Sequence, residues 1–360
     1  MESDPNIRHG QRKGRAASSN VTNRFERLKS VGVDDGWGRE EEWPVLRTEV
    51  STERPRSVIA RNTSPDIGFD RSLNPYRGCE HGCIYCFARP GHAYLGMSPG
   101  LDFETRLIAK AGAADVLRKE LSAKNYKPDV LAIGTYTDAY QPIEKRHQII
   151  RGVLQVLSDF NHPVGLVTKG NLIERDIDIL APMAAKGLAH VSISVTTLDR
   201  DLARKMEPRV PSPERRLKTI ERLVSAGVPV RVSASPMIPG LTDHELEAIL
   251  ARARDVGASS ATSIALRLPR EVSDLFQDWL AEHIPDRAAR VMARVREMHG
   301  GKPYDANFGT RMTGTGVYAK LLRDRFYRAT QSLGLRTGAI SLRTDLFSVP
   351  PKTGDQLSLF

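Results

Sequence analysis

Three cysteines stand within eight residues, Cys79-Glu80-His81-Gly82-Cys83-Ile84-Tyr85-Cys86, and the chain has no others. Three thiolates in one loop can bind three irons of a [4Fe-4S] cube and leave the fourth without a protein ligand, unlike the four-cysteine sites of electron carriers. An iron left open is a place for a substrate or a cofactor. Zinc and a redox pair are the alternatives. Structural zinc draws its ligands as two pairs from separate turns, and no second Cys or Cys/His pair is present. His81 completes a Cys3His set only if one short segment supplies all four ligands, which strains a tetrahedron. The spacing favours the cluster.

Such a loop needs a rigid carrier. Short apolar runs at 130–136, 164–169, 191–197, 229–238 and 263–268 read as buried parallel strands, with amphipathic segments between them. The segment 145–160 carries Ile149, Ile150, Val153, Leu154 and Leu157 on one helical face. Ser212 followed by Pro213 reads as a helix start, and Gly227 as its end. Repeated strand, helix, strand units argue for an open or closed α/β barrel, in which the loops after the strands build the active site. A chain of 360 residues with 40% hydrophobic content can bury one such core and still carry extensions.

The flanks have a different composition. Residues 1–65 are rich in Arg, Ser, Asn, Glu and Pro with little periodicity, and read as a flexible polar arm tied down near Trp37 and Trp43. The barrel core is placed at 66–270, a basic and mostly helical extension at 271–345, and a flexible tail at 346–360. No apolar run approaches the 18 to 20 residues of a membrane span, and the first twenty residues lack the apolar stretch of a secretory signal. An odd cysteine count argues against a disulfide framework and for the reducing cytoplasm. The net charge of +10 predicts a polyanionic partner, nucleic acid before others, against the alternative of a solvated basic surface.

Cys79-x3-Cys83-x2-Cys86, with Tyr85 just before the last cysteine, resembles the signature of the radical S-adenosylmethionine (SAM) superfamily. The resemblance implies a partial (β/α)6 barrel of the TIM type. It implies that the cysteines hold a [4Fe-4S] cluster and that the methionyl amino and carboxylate groups of SAM chelate the fourth iron. Reduction by a donor such as flavodoxin or ferredoxin then yields a 5'-deoxyadenosyl radical, which abstracts a hydrogen atom from substrate. Within the superfamily the chain resembles the spore-photoproduct-lyase-like branch. The run from Gly134 to Glu144 is similar to that branch's Thr/Ser-Asp segment, which implies that Thr137, with Asp138, sits near the SAM amino group. By the same resemblance Lys169 reaches the SAM carboxylate, Ser192 and Ser235 help to hold the cofactor, and Glu207-Pro208 and Ser235-Pro236 are further landmarks. One position departs. Where photoproduct lyase places a hydrogen-donating cysteine this chain has Thr135, so Tyr136 and Tyr140 become the candidate hydrogen-atom donors.

Two later segments bear on partners. The glycine-rich block 300–316 contains Lys302 and Arg311, which together with backbone amides can approach phosphates. The alternative is a connector to a basic helix at 317–333, on which Lys320, Arg323, Arg325 and Arg328 can track a nucleic-acid backbone. Gln356-Leu357-Ser358-Leu359-Phe360 resembles the peptide by which bacterial polymerases and repair proteins dock on the β sliding clamp: three apolar side chains for a groove and an amide for directional bonds. The combined reading is a cytoplasmic radical SAM enzyme acting on DNA, in repair or lesion processing. The rivals are a radical SAM enzyme modifying RNA or a protein, and a non-catalytic metal-binding DNA adaptor.

Overall fold

The computed structural model describes residues 15–26 and 46–351. Its strands are β1 (Glu49–Glu53), β2 (Ala60–Arg61), β3 (Arg71–Leu73), β4 (Tyr76–Arg77), β5 (Arg106–Lys110), β6 (Leu131–Ile133), β7 (Val164–Thr168), β8 (Ala189–Ser194), β9 (Val230–Met237) and β10 (Ser260–Ala265). Strands β3, β6, β7, β8, β9 and β10 lie side by side in that order and run parallel, with β2 antiparallel outside β3. Parallel neighbours need crossover connections, and helices such as Ile149–Asp159, Ile177–Ala185 and Pro213–Ser225 supply them. The register sets Leu73, Ile133, Leu166, Val191 and Val230 abreast across five strands, all of them buried. Burial of each such side chain stabilises the fold by roughly 1.5–3 kcal/mol. It also aligns the strand ends, so the loops that follow the strands share one edge. A smaller sheet, in the order β1, β5, β4, stands behind the cysteine segment.

The five predicted strands are present, three with trimmed ends and two, β8 and β10, shifted toward the N-terminus to begin at Ala189 and Ser260. Strand β3, which leads into the cysteine segment, is a sixth: its three residues, Arg71-Ser72-Leu73, are too few to show a period. The helix expected over 145–160 is broken. Residues Glu144–His147 form one turn, Gln148 takes φ +50°, and the helix resumes at Ile149–Asp159. The buried Glu144 carboxylate accepts the N–H groups of Ile149 and Ile150, capping the second piece and fixing the break. Ser212 does cap Pro213–Ser225, accepting the Arg215 N–H, and Gly227 at φ +82° follows its end.

The flexible-arm reading is corrected for residues 15–26 and 46–65. Ala16 and Ala17 are buried and donate their N–H groups to Glu104, while Arg15 donates to the carbonyls of Glu104 and Leu46 and to the Thr48 hydroxyl. Strand β1 pairs in parallel with β5. Polar composition here serves a buried carboxylate rather than solvent. Trp37 and Trp43 lie outside the described residues. The start of the presumed tail is also docked. Phe347 packs against Tyr126, Phe160 and His162, and the Ser348 N–H donates to the Phe160 carbonyl.

Beyond the sheet, helices Glu271–His283, Pro285–Met298 and Gly316–Ser332 complete the described fold. A second apolar cluster joins Leu266, Leu268, Phe276 and Trp279 to Cys83, Ile84 and Tyr85, so the cysteine loop is seated on this second core. No described helix is long and apolar enough to cross a membrane.

Candidate active site

The cysteine loop follows β4. Cys79 and Cys83 are buried, Cys86 is half-buried, and none is in a disulfide. Two turns shape it: the Gly82 N–H donates to the Cys79 carbonyl at 3.1 Å and the Cys86 N–H to the Cys83 carbonyl at 3.2 Å. Gly82 has φ +65°, and a Cβ there would lie 2.6 Å from the Glu104 carboxylate, so only glycine fits. Arg89, wholly buried, donates to the carbonyls of Gly82 and Cys83 at 2.9 Å each and to Glu104 at 2.5 Å. On the other side Gln141 accepts the Glu80 N–H at 2.7 Å and donates to the Gly78 carbonyl at 3.3 Å. The Arg89, Glu104 and Gln141 roles are absent from the sequence reading, since a buried arginine carries no periodic signal.

The loops after the strands close on this segment. Asp138, after β6, accepts the Thr168 hydroxyl at 2.6 Å and the Lys169 N–H at 2.8 Å, tying the end of β7, and lies 3.3 Å from His81 in the cysteine loop. Burial alone would push its carboxyl up, but His81 and the bonds from Thr168 and Lys169 outweigh that and hold it at about 2. Lys169 is thereby placed with its ammonium 5.9 Å from the Tyr85 ring centroid. Tyr85 in turn donates to Glu207, which also takes bonds from Thr196, after β8, and from the buried Arg216. These contacts give Glu207 a physical role: it binds the cysteine loop to two other elements.

The predicted residues fare differently. Thr137 is buried, its hydroxyl donating to the Tyr76 carbonyl at 2.9 Å. Ser192 is buried on β8, next to Val167 of β7. The Ser235 hydroxyl, on β9, is buried with no hydrogen-bond partner among the described residues. Asp138 accepts three protein donors, among them the Thr168 hydroxyl and the Lys169 N–H, and so positions the Thr168–Lys169 turn. Tyr136 stands 43% exposed beside the loop, its hydroxyl donating to the Ala88 carbonyl at 3.0 Å. Burial, with Cys86 nearby, pushes that phenol up to about 12. Tyr140 is placed differently. It belongs to the main core with Leu73 and Ile133, and the charges around its hydroxyl are Asp176, Glu144 and Arg175 rather than the cysteines.

The nucleic-acid candidates differ in how far other groups engage them. Arg311 is spent on Asp66 and Ser64, Arg325 on Glu247, Arg323 on the Gly314 carbonyl, and Lys320 pairs with Asp324 along its helix. Lys302 and Arg328 are exposed. The clamp-like residues 356–360 lie outside the described residues.

The donor set fits an iron–sulfur cluster. Burial pushes the Cys79 and Cys83 thiols up, Asp138 and Glu207 push the same way, and Lys169 pulls Cys83 down. Such thiols need a strongly cationic occupant to become thiolates. Among the described residues no three Cys, His, Asp or Glu side chains converge on one metal-ion position. A cube, which offers a separate iron to each cysteine, matches the arrangement better than mononuclear zinc. The unpaired Ser235 hydroxyl and the Lys169 ammonium are polar groups that an additional polar ligand would satisfy.

Comparisons with known proteins agree. The family model for the Radical SAM superfamily matches residues 73–253. An uncharacterized protein of Mycobacterium tuberculosis is 36% identical over 240 residues, 66% of this chain and 69% of that protein. An uncharacterized protein of Methanocaldococcus jannaschii is 28% identical over 174 residues, 48% of this chain and 62% of its own length. Among solved structures, a spore photoproduct lyase mutant superposes with a TM-score of 0.58 at 14% identity, over 79% of this chain and 80% of the other. Another mutant of that lyase, with bound AdoMet and dinucleoside spore photoproduct, gives 0.57 at 15% identity over the same shares. These two likenesses are of fold.

Proposed function

Because this chain belongs to the radical SAM superfamily, whose members work with a [4Fe-4S] cluster and SAM, we propose that it is an enzyme abstracting a hydrogen atom from DNA, in repair or lesion processing. The observation that carries the catalytic part is the loop of three free thiols, seated on the second apolar core, with Lys169 held beside it. The six parallel strands are read as the partial (β/α)6 barrel of this superfamily. Cys79, Cys83 and Cys86 would hold the cluster, and Thr137, Lys169, Ser192 and Ser235 would hold SAM. When bound, the pair supplies a 5'-deoxyadenosyl radical by reductive cleavage, the electron coming from a donor such as flavodoxin or ferredoxin.

The chain's own residues do the positioning. Arg89, Glu104 and Gln141 fix the loop backbone, and Asp138 fixes the turn that presents Lys169. Ile84, Leu266 and Leu268 pack behind the loop and exclude water from its rear. Tyr136, beside the loop and partly exposed, is the hydrogen-atom donor in this reading, in place of the buried Tyr140.

Three features support DNA as substrate. The net charge is +10. Residues 356–360 match a β-clamp ligand, which would bring the enzyme to replicating DNA in the cytoplasm. A protein of the same fold was solved with dinucleoside spore photoproduct. The test is anaerobic reconstitution with iron and sulfide, electron paramagnetic resonance with and without SAM, and an assay for 5'-deoxyadenosine with ultraviolet-damaged DNA. Damaged DNA should raise deoxyadenosine formation well above a Cys83→Ala control. Stimulation by transfer RNA or a peptide and not by DNA overturns the substrate, and a spectrum unmoved by SAM overturns the enzyme reading.

A further inference from the structure

Six phenylalanine and tyrosine side chains among the described residues are exposed: Phe25, Phe87, Tyr94, Tyr136, Phe308 and Tyr327. The first five share one tract beside Cys86. At one end Phe25 and Tyr94 lie 5.3 Å apart between ring centroids, with the Arg24 guanidinium 4.8 Å from each. Tyr94 sits on the turn Arg89–Leu95, against which the Tyr136 hydroxyl is packed: a Cβ on Gly91 would fall 1.9 Å from it. Tyr136 meets Phe87 edge to face at 6.1 Å, and Arg267, just past β10, stacks on Phe87 at 4.6 Å. Arg311, close enough for its charge to act on Arg267, covers the Phe308 ring at 4.6 Å. Rings and guanidiniums thus line a path that passes the residue immediately after the third cysteine.

We propose that this tract binds an unpaired polynucleotide strand, its bases stacking on the exposed rings as the strand runs past Cys86. Every base offers a flat face that an aromatic ring or a guanidinium can cover, and in a duplex those faces are already stacked on one another. Carboxylates fix the two end guanidiniums, Arg24 on Glu271 and Arg311 on Asp66, so they act as oriented planes more than as phosphate clamps. Arg267 has no hydrogen-bonded carboxylate among the described residues and is the charge available to a phosphate. An aromatic-rich peptide would also meet rings, but the chain's net charge of +10 favours a polyanion. This inference rests on the nucleic-acid part of the proposed function and adds that the strand is unpaired where the chemistry occurs.

The test is fluorescence anisotropy of the full-length, anaerobically purified protein with labelled oligothymidylate, oligouridylate and duplex DNA, each of about 20 nucleotides. Single strands should bind more tightly than duplex. Tyr94→Ala and Phe308→Ala should each weaken single-strand binding about 5- to 150-fold, the span measured for loss of one stacked base. Tyr94→Trp should bind at least as well as wild type, and Tyr327→Ala, off the tract, should change nothing. Equal loss in Tyr327→Ala, no loss in the tract variants, or preference for duplex overturns the tract. Binding of oligouridylate alone leaves the tract standing and removes DNA as substrate. Duplex preference together with deoxyadenosine formation on damaged DNA removes the tract and keeps the DNA reading.

Discussion

Arg89 meets Glu104 at 2.5 Å behind the cysteine loop, and neither side chain is exposed to solvent. The guanidinium also bonds to the carbonyls of Gly82, Cys83, Pro99 and Gly100, while Glu104 takes the N–H groups of Ala16 and Ala17. A buried ion pair satisfied on every side fixes geometry, and removing one partner strands the other charge at a cost of about 3–5 kcal/mol. Arg89→Met should therefore lose roughly that much stability in denaturant. It should also bind less iron per chain after reconstitution. Arg89→Lys should not rescue it, because an ammonium cannot reach four carbonyls and a carboxylate together. Full iron loading in Arg89→Met would mean that the loop holds its shape without the pair.

His162 gives a prediction about acid. Its ring is buried, with Nδ1 against the Pro163 carbonyl at 3.0 Å and Nε2 against the Tyr126 hydroxyl at 2.7 Å. A carbonyl only accepts, so Nδ1 carries the proton and neutral Nε2 accepts from the phenol. Burial, with the charge of Arg71 adding to it, depresses the imidazole to about 4. The unfolded chain takes up this proton near pH 6.5 and the folded chain only near 4, so acid favours unfolding in that window. The contribution is complete above about pH 6.5 and is lost as pH falls to about 4, a difference of about 3 kcal/mol. Urea titrations of wild type and His162→Phe between these limits should show a shallower pH slope in the variant. An unchanged slope would refute the assignment to His162.

What was legible in the sequence is what repeats or what clusters. Five of the six parallel strands announced themselves as apolar runs, and three cysteines in one segment announced the site. Strand β3 was hidden because three residues cannot show a period. The carboxylate of Glu104 and the guanidinium of Arg89 were hidden because their partners are backbone groups up to 88 residues away. Pattern reading treats charged residues as surface, so the polar arm expected over residues 1–65 gives no sign that the amides of Ala16 and Ala17 serve a buried acid. For the same reason a row of basic residues on Gly316–Ser332 reads as a nucleic-acid track without showing that Glu247 pairs with Arg325 and Asp324 with Lys320. Composition counts charges, and only the fold shows which are already paired.

Residues 356–360 supply a prediction that separates recruitment from chemistry. Three apolar side chains and one amide make up the proposed clamp contact, a set distinct from the residues assigned to the cluster and SAM. Deleting residues 356–360 should abolish binding to an immobilised β sliding clamp and leave deoxyadenosine formation within about twofold of wild type. Retained clamp binding by the deleted protein would remove this peptide as the contact.

Lys169 separates the two cofactors. Its side chain lies beside Tyr85 and Cys83, and its own N–H is fixed by Asp138 at the end of β7. It is not a ligand to iron, so Lys169→Met should load the cluster as wild type does. If its ammonium pairs with the SAM carboxylate, the variant loses a charge-assisted bond of about 1.5–3 kcal/mol, or about 10- to 150-fold in affinity. Titrating SAM against the reduced cluster's paramagnetic spectrum measures this without turnover. Asp138→Asn gives an intermediate case: its one amide oxygen can still accept the Thr168 hydroxyl, but an NH2 then faces the Lys169 N–H and the charge beside His81 is lost. It should weaken SAM less than Lys169→Met does. A larger effect from Asp138→Asn would place Asp138, and not Lys169, in contact with the cofactor.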